Sequence, residues 1–287
     1  MPIVEVSSLH KAYGRVEALQ GLDMTVEEGN TYGFLGRNGA GKSTSLRILM
    51  GITLPSSGTV RLFGQSIHGH HIRLRQRIGY VAQEQVFYGW MTPIDIGRFV
   101  GGFYPTWDPD HYARLVEAMQ LPTDRKLLTF SAGMKAKLAL SLALAHRPPL
   151  LLLDEPTAGL DPVARREFFE ILDDQGRAEG HTTLFSSHLV DEVERVANRI
   201  GIIENGTMRY EGSVSALTAS IRSLRRPEEA EACELPPGLT VLKDRLRRGF
   251  RQVTVRSDDA QLLDSLAADW TVDRLPLEDI FVEMVTR

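Results

Sequence analysis

Gly36-Arg37-Asn38-Gly39-Ala40-Gly41-Lys42-Ser43 is the stretch that decides the fold. It fits Gly-x4-Gly-Lys-Ser/Thr, with a short apolar run, Thr31 to Leu35, before it and a helical pattern, Ser43 to Met50, after it. The glycines let successive backbone N–H groups turn inward around polyphosphate oxygens, and the helix N-terminus adds its positive end. Lys42 then neutralises the terminal phosphates. Ser43 offers a hydroxyl to Mg²⁺, which prefers hydroxyl, carboxylate and water oxygens. Gly36, Asn38, Gly39, Gly41 and Thr44 complete the expected cradle. A plain glycine-rich turn needs no strand before it and no helix after it.

Further along, Leu150-Leu151-Leu152-Leu153-Asp154-Glu155 sets two carboxylates at the end of a run suited to a central parallel strand. Open α/β sheets bind ligands beyond the carboxyl ends of their strands, so both acids are expected beside the phosphate loop. Asp154 is assigned to Mg²⁺ through its water shell. Glu155 is assigned to polarising an attacking water.

The flanking sequence reads as α/β. Short strands are expected over residues 1–65, including Ile3 to Val6 and Val60 to Phe63. From about 88 to 148 the pattern turns helical. Thr92-Pro93 and Asp108-Pro109 place capping side chains at helix starts, and Tyr112, Leu115, Val116 and Met119 form a buried stripe. Strands resume at Leu150 to Leu153, Thr182 to Phe185 and Ile200 to Glu204, with a hairpin turn at Asn205-Gly206. The expected organisation is a core over 1–220 with that helical insertion, a linker over 221–237 and a small α+β region over 238–287.

With 287 residues, 43% of them hydrophobic, the chain is long and apolar enough for a core. Lys+Arg 33 against Asp+Glu 37 gives a net charge of -4, unlike a chain that binds nucleic acid through bulk positive charge. Cys233 is the single cysteine, which excludes an internal disulfide scaffold and a cysteine metal cluster. No apolar run approaches the ~20 residues that span a bilayer, and the first residues lack a signal-peptide pattern, so a cytoplasmic protein is expected.

The order of motifs over residues 3 to about 220 resembles the ATP-binding subunit of an ABC transporter, of the bacterial exporter-like branch, and so a P-loop ABC ATPase core. The resemblance implies that Tyr13 stacks on adenine and that Gln83 touches Mg²⁺ and faces a membrane partner. It makes Ser131-Ala132-Gly133-Met134 the signature loop, with Ser131 and Gly133 reaching phosphate. Gly159-Leu160-Asp161 becomes the dimer-contact loop and His188 the switch histidine at the γ-phosphate. Two ATP molecules would lie between head-to-tail cassettes, in a homodimer or heterodimer. Their closure would drive a separate integral membrane permease, with the chain peripheral on the inner face of the membrane. No nucleic-acid partner is expected.

Ala132 and Met134 depart from the family's usual Leu-Ser-Gly-Gly-Gln signature. This motivates an alternative, a catalytically weak or regulatory half of a heterodimer. A soluble ABC-type ATPase acting on nucleic acid or ribosomes is the more distant rival. His68-Gly69-His70-His71 lacks flanking cysteine or carboxylate and reads as a loop rather than a metal site. Tyr88, Trp90 and Trp107 are expected to cluster near Gln83, where the resemblance would dock permease helices, although core packing is the commoner fate of aromatics. Arg245-Leu246-Arg247-Arg248 reads as a solvated face and Cys233 as an exposed linker residue.

Overall fold

Leu150 to Leu153 are all inaccessible to solvent, which requires cover on both faces of the strand they form. The computed structural model, which describes residues 1–67, 72–227, 235–247, 249–268 and 270–285, supplies that cover. The chain divides into two units, Met1–Glu211 and Gly212–Arg287.

The first unit begins with β1 (Pro2–Tyr13), β2 (Val16–Glu27), β3 (Thr31–Leu35), α1 (Lys42–Leu49), β4 (Ser57–Leu62) and β5 (Gln65–Ser66). α2 (Ile72–Arg75) and β6 (Ile78–Val81) lead into the helical insertion of α3 (Pro93–Gly101), α4 (Pro109–Ala118) and α5 (Ala132–Leu144). Then come β7 (Leu150–Asp154), α6 (Pro162–Glu179), β8 (Thr182–Ser187), α7 (Val190–Val196), β9 (Arg199–Glu204) and β10 (Thr207–Ser213).

Strands β2-β1-β4-β5 make one antiparallel sheet. The other has the order β10-β9-β3-β8-β7-β6, parallel from β9 through to β6. Side chains of both sheets, among them Leu9, Leu22 and Met24 on one and Phe34, Leu150 and Leu184 on the other, share a single core with α1. Parallel pairing aligns the carboxyl ends: Asp154 lies opposite Ser186 and Leu35 opposite Ser187. This register carries the phosphate loop, both carboxylates and the residues before His188 to one edge.

The insertion follows its sequence signals. Thr92 Oγ1 accepts from Asp95 N at 3.2 Å while Asp95 Oδ2 accepts from Thr92 N at 3.0 Å, a reciprocal cap. Asp108 Oδ1 accepts from His111 N at 2.8 Å. Such caps contribute about 1 kcal/mol each. Tyr112, Leu115, Val116 and Met119 are all buried.

Three expectations need correction. The first strands are not short: β1 and β2 run 12 residues each, because register shifts between Val6 and Leu9, with Ser8 at φ 47, interrupt the alternation without ending the pairing. Residues 221–227 are not linker but β11 (Ile221–Pro227), an interior strand of the second unit. That unit begins at Gly212 with α8 (Val214–Ser220) and continues through β12 (Thr240–Arg247), β13 (Phe250–Arg256), α9 (Ala260–Ser265), β14 (Thr271–Arg274) and α10 (Leu277–Val285). Its sheet order is β12-β13-β11-β14, over a core of Leu224, Val253, Val255, Leu263, Leu266 and Trp270. Arginines disguised β11. Arg222 Nη1 donates to Ala219 O at 2.9 Å, and the Arg226 guanidinium lies 4.9 Å from the Trp270 ring centre. Third, Arg245 is not free in solvent but pairs with Glu283 of α10. His68 to His71, Arg248 and Cys233 lie outside the described residues. Among the described residues no helix is long and apolar enough to cross a membrane.

Candidate functional site: a phosphate loop facing two carboxylates

The phosphate loop leaves the buried end of β3 and enters α1 through Gly41, whose φ of 113 favours glycine. A Cβ there would meet Ala18 O at 2.7 Å, and one on Gly36 would meet Ile203 O at 2.7 Å. Both positions therefore need hydrogen in place of a side chain. Asn38 and Gly39 are exposed at the crest, and Thr44 is half-buried on the first turn of α1.

Lys42 is 4% exposed, and its ammonium gathers the site. Its Nζ donates to Gly36 O at 2.7 Å and Arg37 O at 3.3 Å, and lies 3.1 Å from Glu155 Oε1. Glu155 Oε2 lies 3.1 Å from His188 Nδ1. The carboxylate is thus held at one oxygen by a cation and at the other by a ring nitrogen. Glu155 also sits at φ 42, a left-handed conformation costing about 1 kcal/mol for a side-chain-bearing residue. Its N–H donates to Ser186 Oγ at 2.9 Å, which helps to offset that strain.

Asp154 is fully buried at the end of β7. Its Oδ1 accepts from Ser43 Oγ and from Ser186 Oγ, both at 2.8 Å. Its Oδ2 is buried with no hydrogen-bond partner. An orphaned carboxylate oxygen beside a serine hydroxyl is the hard oxygen donor set that suits Mg²⁺. On the neighbouring strand, burial and then the Asp154 charge push the Tyr80 hydroxyl above its ordinary range. Gln83 is exposed two residues beyond β6, the strand paired with β7.

The structure therefore brings Lys42, Ser43, Asp154, Glu155 and His188 together. Tyr13, Ser131 and Asp161 make their contacts elsewhere. Tyr13 is 47% exposed at the end of β1, with Lys11 Nζ 4.8 Å from its ring centre. Ser131 caps α5, its Oγ accepting from Met134 N at 3.2 Å. Asp161 caps α6, its Oδ1 accepting from Val163 N and Ala164 N at 2.9 Å. These two helix starts are neighbours, since a Cβ on Gly133 would lie 3.4 Å from Ala164 Cβ. Tyr88 packs against Trp90 at 6.1 Å and Phe99 at 5.9 Å, and Phe99 meets Phe103 at 5.4 Å. Trp107 turns instead to Tyr112 at 5.3 Å, so the expected aromatic trio is replaced by this other group.

Sequence reasoning missed Ser186 as the residue that bonds both Asp154 and the Glu155 backbone. The pairing of Asp154 with Ser186 across β7 and β8 carries that contact, and only a correct strand order reveals it.

Comparison with known proteins places this geometry. The family model described as ABC transporter matches residues 19–158. Bacitracin transport ATP-binding protein BcrA of Bacillus licheniformis is 34% identical over 212 residues, covering 73% of this chain and 69% of that protein. The chain belongs to the ABC transporter ATP-binding family. It is an ATPase cassette with a further C-terminal unit. The uncharacterized ABC transporter ATP-binding protein YxlF of Bacillus subtilis (strain 168) is 31% identical over 302 residues and matches 99% of both chains. A solved ATP-binding subunit of an ABC transporter superposes with a TM-score of 0.67 at 28% identity, covering 75% of this cassette's chain and 91% of its own. A dimeric cassette in a post-hydrolysis state with ADP and Pi gives 0.66 at 23% identity, a likeness of fold.

Proposed function

We propose that this cassette binds ATP with Mg²⁺ between two facing copies or relatives of itself and hydrolyses it to drive a membrane permease, in the direction of export. The observation that carries the reading is the Lys42–Glu155–His188 chain of contacts, at 3.1 Å each, beside the Ser43–Asp154 pair at 2.8 Å. Ser43, Asp154 and Gln83 would hold Mg²⁺, whose charge would offset that of the β- and γ-phosphates. Lys42 binds the same phosphates and the loop N–H groups orient them. Glu155 orients the water that attacks the γ-phosphorus as the bond to ADP breaks, and takes up its proton. His188 fixes the rotation of that carboxylate and faces the γ-phosphate. Tyr13 stacks on adenine.

The signature loop and Asp161 are proposed to complete the site of the opposite cassette. Ser131 keeps a hydroxyl and a helix N-terminus for phosphate there. Binding then closes two cassettes and cleavage releases them. The exposed group Tyr88, Trp90, Phe99 and Phe103 is the proposed seat of the permease, since exposed aromatics are favoured interface anchors. Export is supported by a relative named for it, a Nod factor export ATP-binding protein of Ralstonia nicotianae, 35% identical, and fits one named for drug resistance, a daunorubicin/doxorubicin resistance ATP-binding protein of Streptomyces peucetius, 35% identical.

The test is Glu155→Gln. It should retain ATP binding, trap a nucleotide-dependent dimer and nearly stop phosphate release. Wild-type turnover in that variant overturns the assignment of Glu155. Ala132 and Met134 favour a second reading, in which the chain is the weaker half of a heterodimer. Full turnover by the purified chain alone would end it.

A further inference from the structure

Glu192, on the first turn of α7, is 4% exposed. Burying a carboxylate is costly unless its oxygens are filled, and both are. Oε1 accepts from Thr157 Oγ1 at 2.6 Å and faces Arg165 Nε at 3.4 Å, while Oε2 accepts from Ser187 Oγ. Each partner leads to a different part of the site. Thr157 follows Glu155 by two residues, and its carbonyl accepts from Leu160 N at 3.1 Å, closing the turn through Gly159. Ser187 precedes His188, and its Oγ accepts from Leu189 N at 2.9 Å, fixing the backbone on both sides of the ring. Arg165 Nη2 donates to Leu160 O at 3.3 Å, one residue before Asp161.

We propose that Glu192 is a positioning residue for hydrolysis, holding Glu155 and His188 in contact and tying both to the 159–161 loop through Thr157 and Arg165. The proposal rests on the reading of Glu155 given above. A buried ion pair serving stability alone is replaceable by apolar packing at little loss. This one joins three segments that each lie within a few residues of the reacting groups. There, a displacement of about 1 Å is enough to lower a rate about 100-fold. A shift of the 159–161 loop on contact with a second cassette would reach His188 by this route.

The experiment uses the full chain with ATP and Mg²⁺, with turnover expressed per folded molecule. Glu192→Gln should lower kcat by about 10- to 100-fold while KM for ATP stays within about threefold. The ring-nitrogen chemical shifts of His188 should move in the same variant. Thr157→Val, which removes one hydrogen bond, should lower kcat about 5-fold, and Thr157→Ser should recover most of that loss. If Glu192→Gln does not fold, the Thr157 pair decides. Wild-type kcat in Glu192→Gln, or in Thr157→Val, overturns the proposal. A wild-type chain with no turnover would instead count against hydrolysis by this chain alone and favour the weaker-half reading. The His188 shifts then decide for Glu192, unmoved shifts overturning the proposal and moved shifts supporting it.

Discussion

The phosphate loop and the signature loop both deliver chain into a helix N-terminus, yet their side chains are committed in opposite ways. Around the first, Lys42 is buried against Glu155, Ser43 bonds Asp154, and Ser186 locks both acids to the next strand. Around the second, Ser131 and Ala132 are exposed, and the Ser131 hydroxyl accepts from Met134 N of its own helix. One region is completed by contacts within the chain. The other leaves its helix start exposed, where the proposed function places phosphate of a facing cassette. On the proposed reading, the contrast separates what a single cassette does, which is to hold nucleotide, from what requires two.

Lys42→Ala tests the first region and should have the largest effect. It removes the cation of a buried pair, a loss of about 3–5 kcal/mol, and also the ammonium for phosphate. Nucleotide affinity of the isolated chain should fall about 1000-fold, read by titration with a fluorescent ATP analogue. Binding within tenfold of wild type would mean that the Lys42–Glu155 pair is structural ornament rather than part of the cradle.

Ser131→Ala tests the second region. A hydrogen bond to a charged group contributes about 1.5–3 kcal/mol, so turnover should fall about 50-fold under conditions where two cassettes associate. Nucleotide affinity of the isolated chain should change by less than about twofold, since the proposed function assigns Ser131 to the site of the opposite cassette. An equal loss in both measurements would erase the distinction between the regions.

The same contrast governs what was legible in the sequence. The phosphate loop and Leu150 to Glu155 are local patterns, in which glycine spacing and an apolar strand ending in acids state their own geometry. Ser186 and Glu192 are not readable that way, because their partners lie about thirty residues away and are met only through strand order. Arg222 and Arg226 hid β11, since buried arginine stems resemble linker polarity in one dimension. The long hairpin of β1 and β2 escaped because a bulge at Ser8 resets the alternation that marks a strand. Trp107 was misplaced because composition groups aromatics by proximity in sequence, whereas α3 presents Phe99 to Tyr88, and Phe103, just past that helix, packs on Phe99.

The smallest expected effect concerns the far end of the signature helix. α5 begins at exposed Ser131 and closes at Ala145, after which His146 is buried and stacked on Tyr104 at 4.0 Å. Burial pushes His146 down to about 4. In the unfolded chain it titrates near 6.5. Between these values the unfolded state binds the extra proton, so stability is fully present above about pH 6.5 and is lost as pH falls toward 4. Going from pH 7 to pH 5 should cost about 2 kcal/mol at this residue. His111 and His181 are also shifted down by burial and act in the same direction, so the comparison needs His146→Phe, which keeps the stack and removes the proton. The variant should lose less thermal stability between pH 7 and pH 5 than wild type does. Identical pH dependence of the two would show that the back of α5 is as solvated as its front, and that the signature loop is not held from behind by a dry anchor.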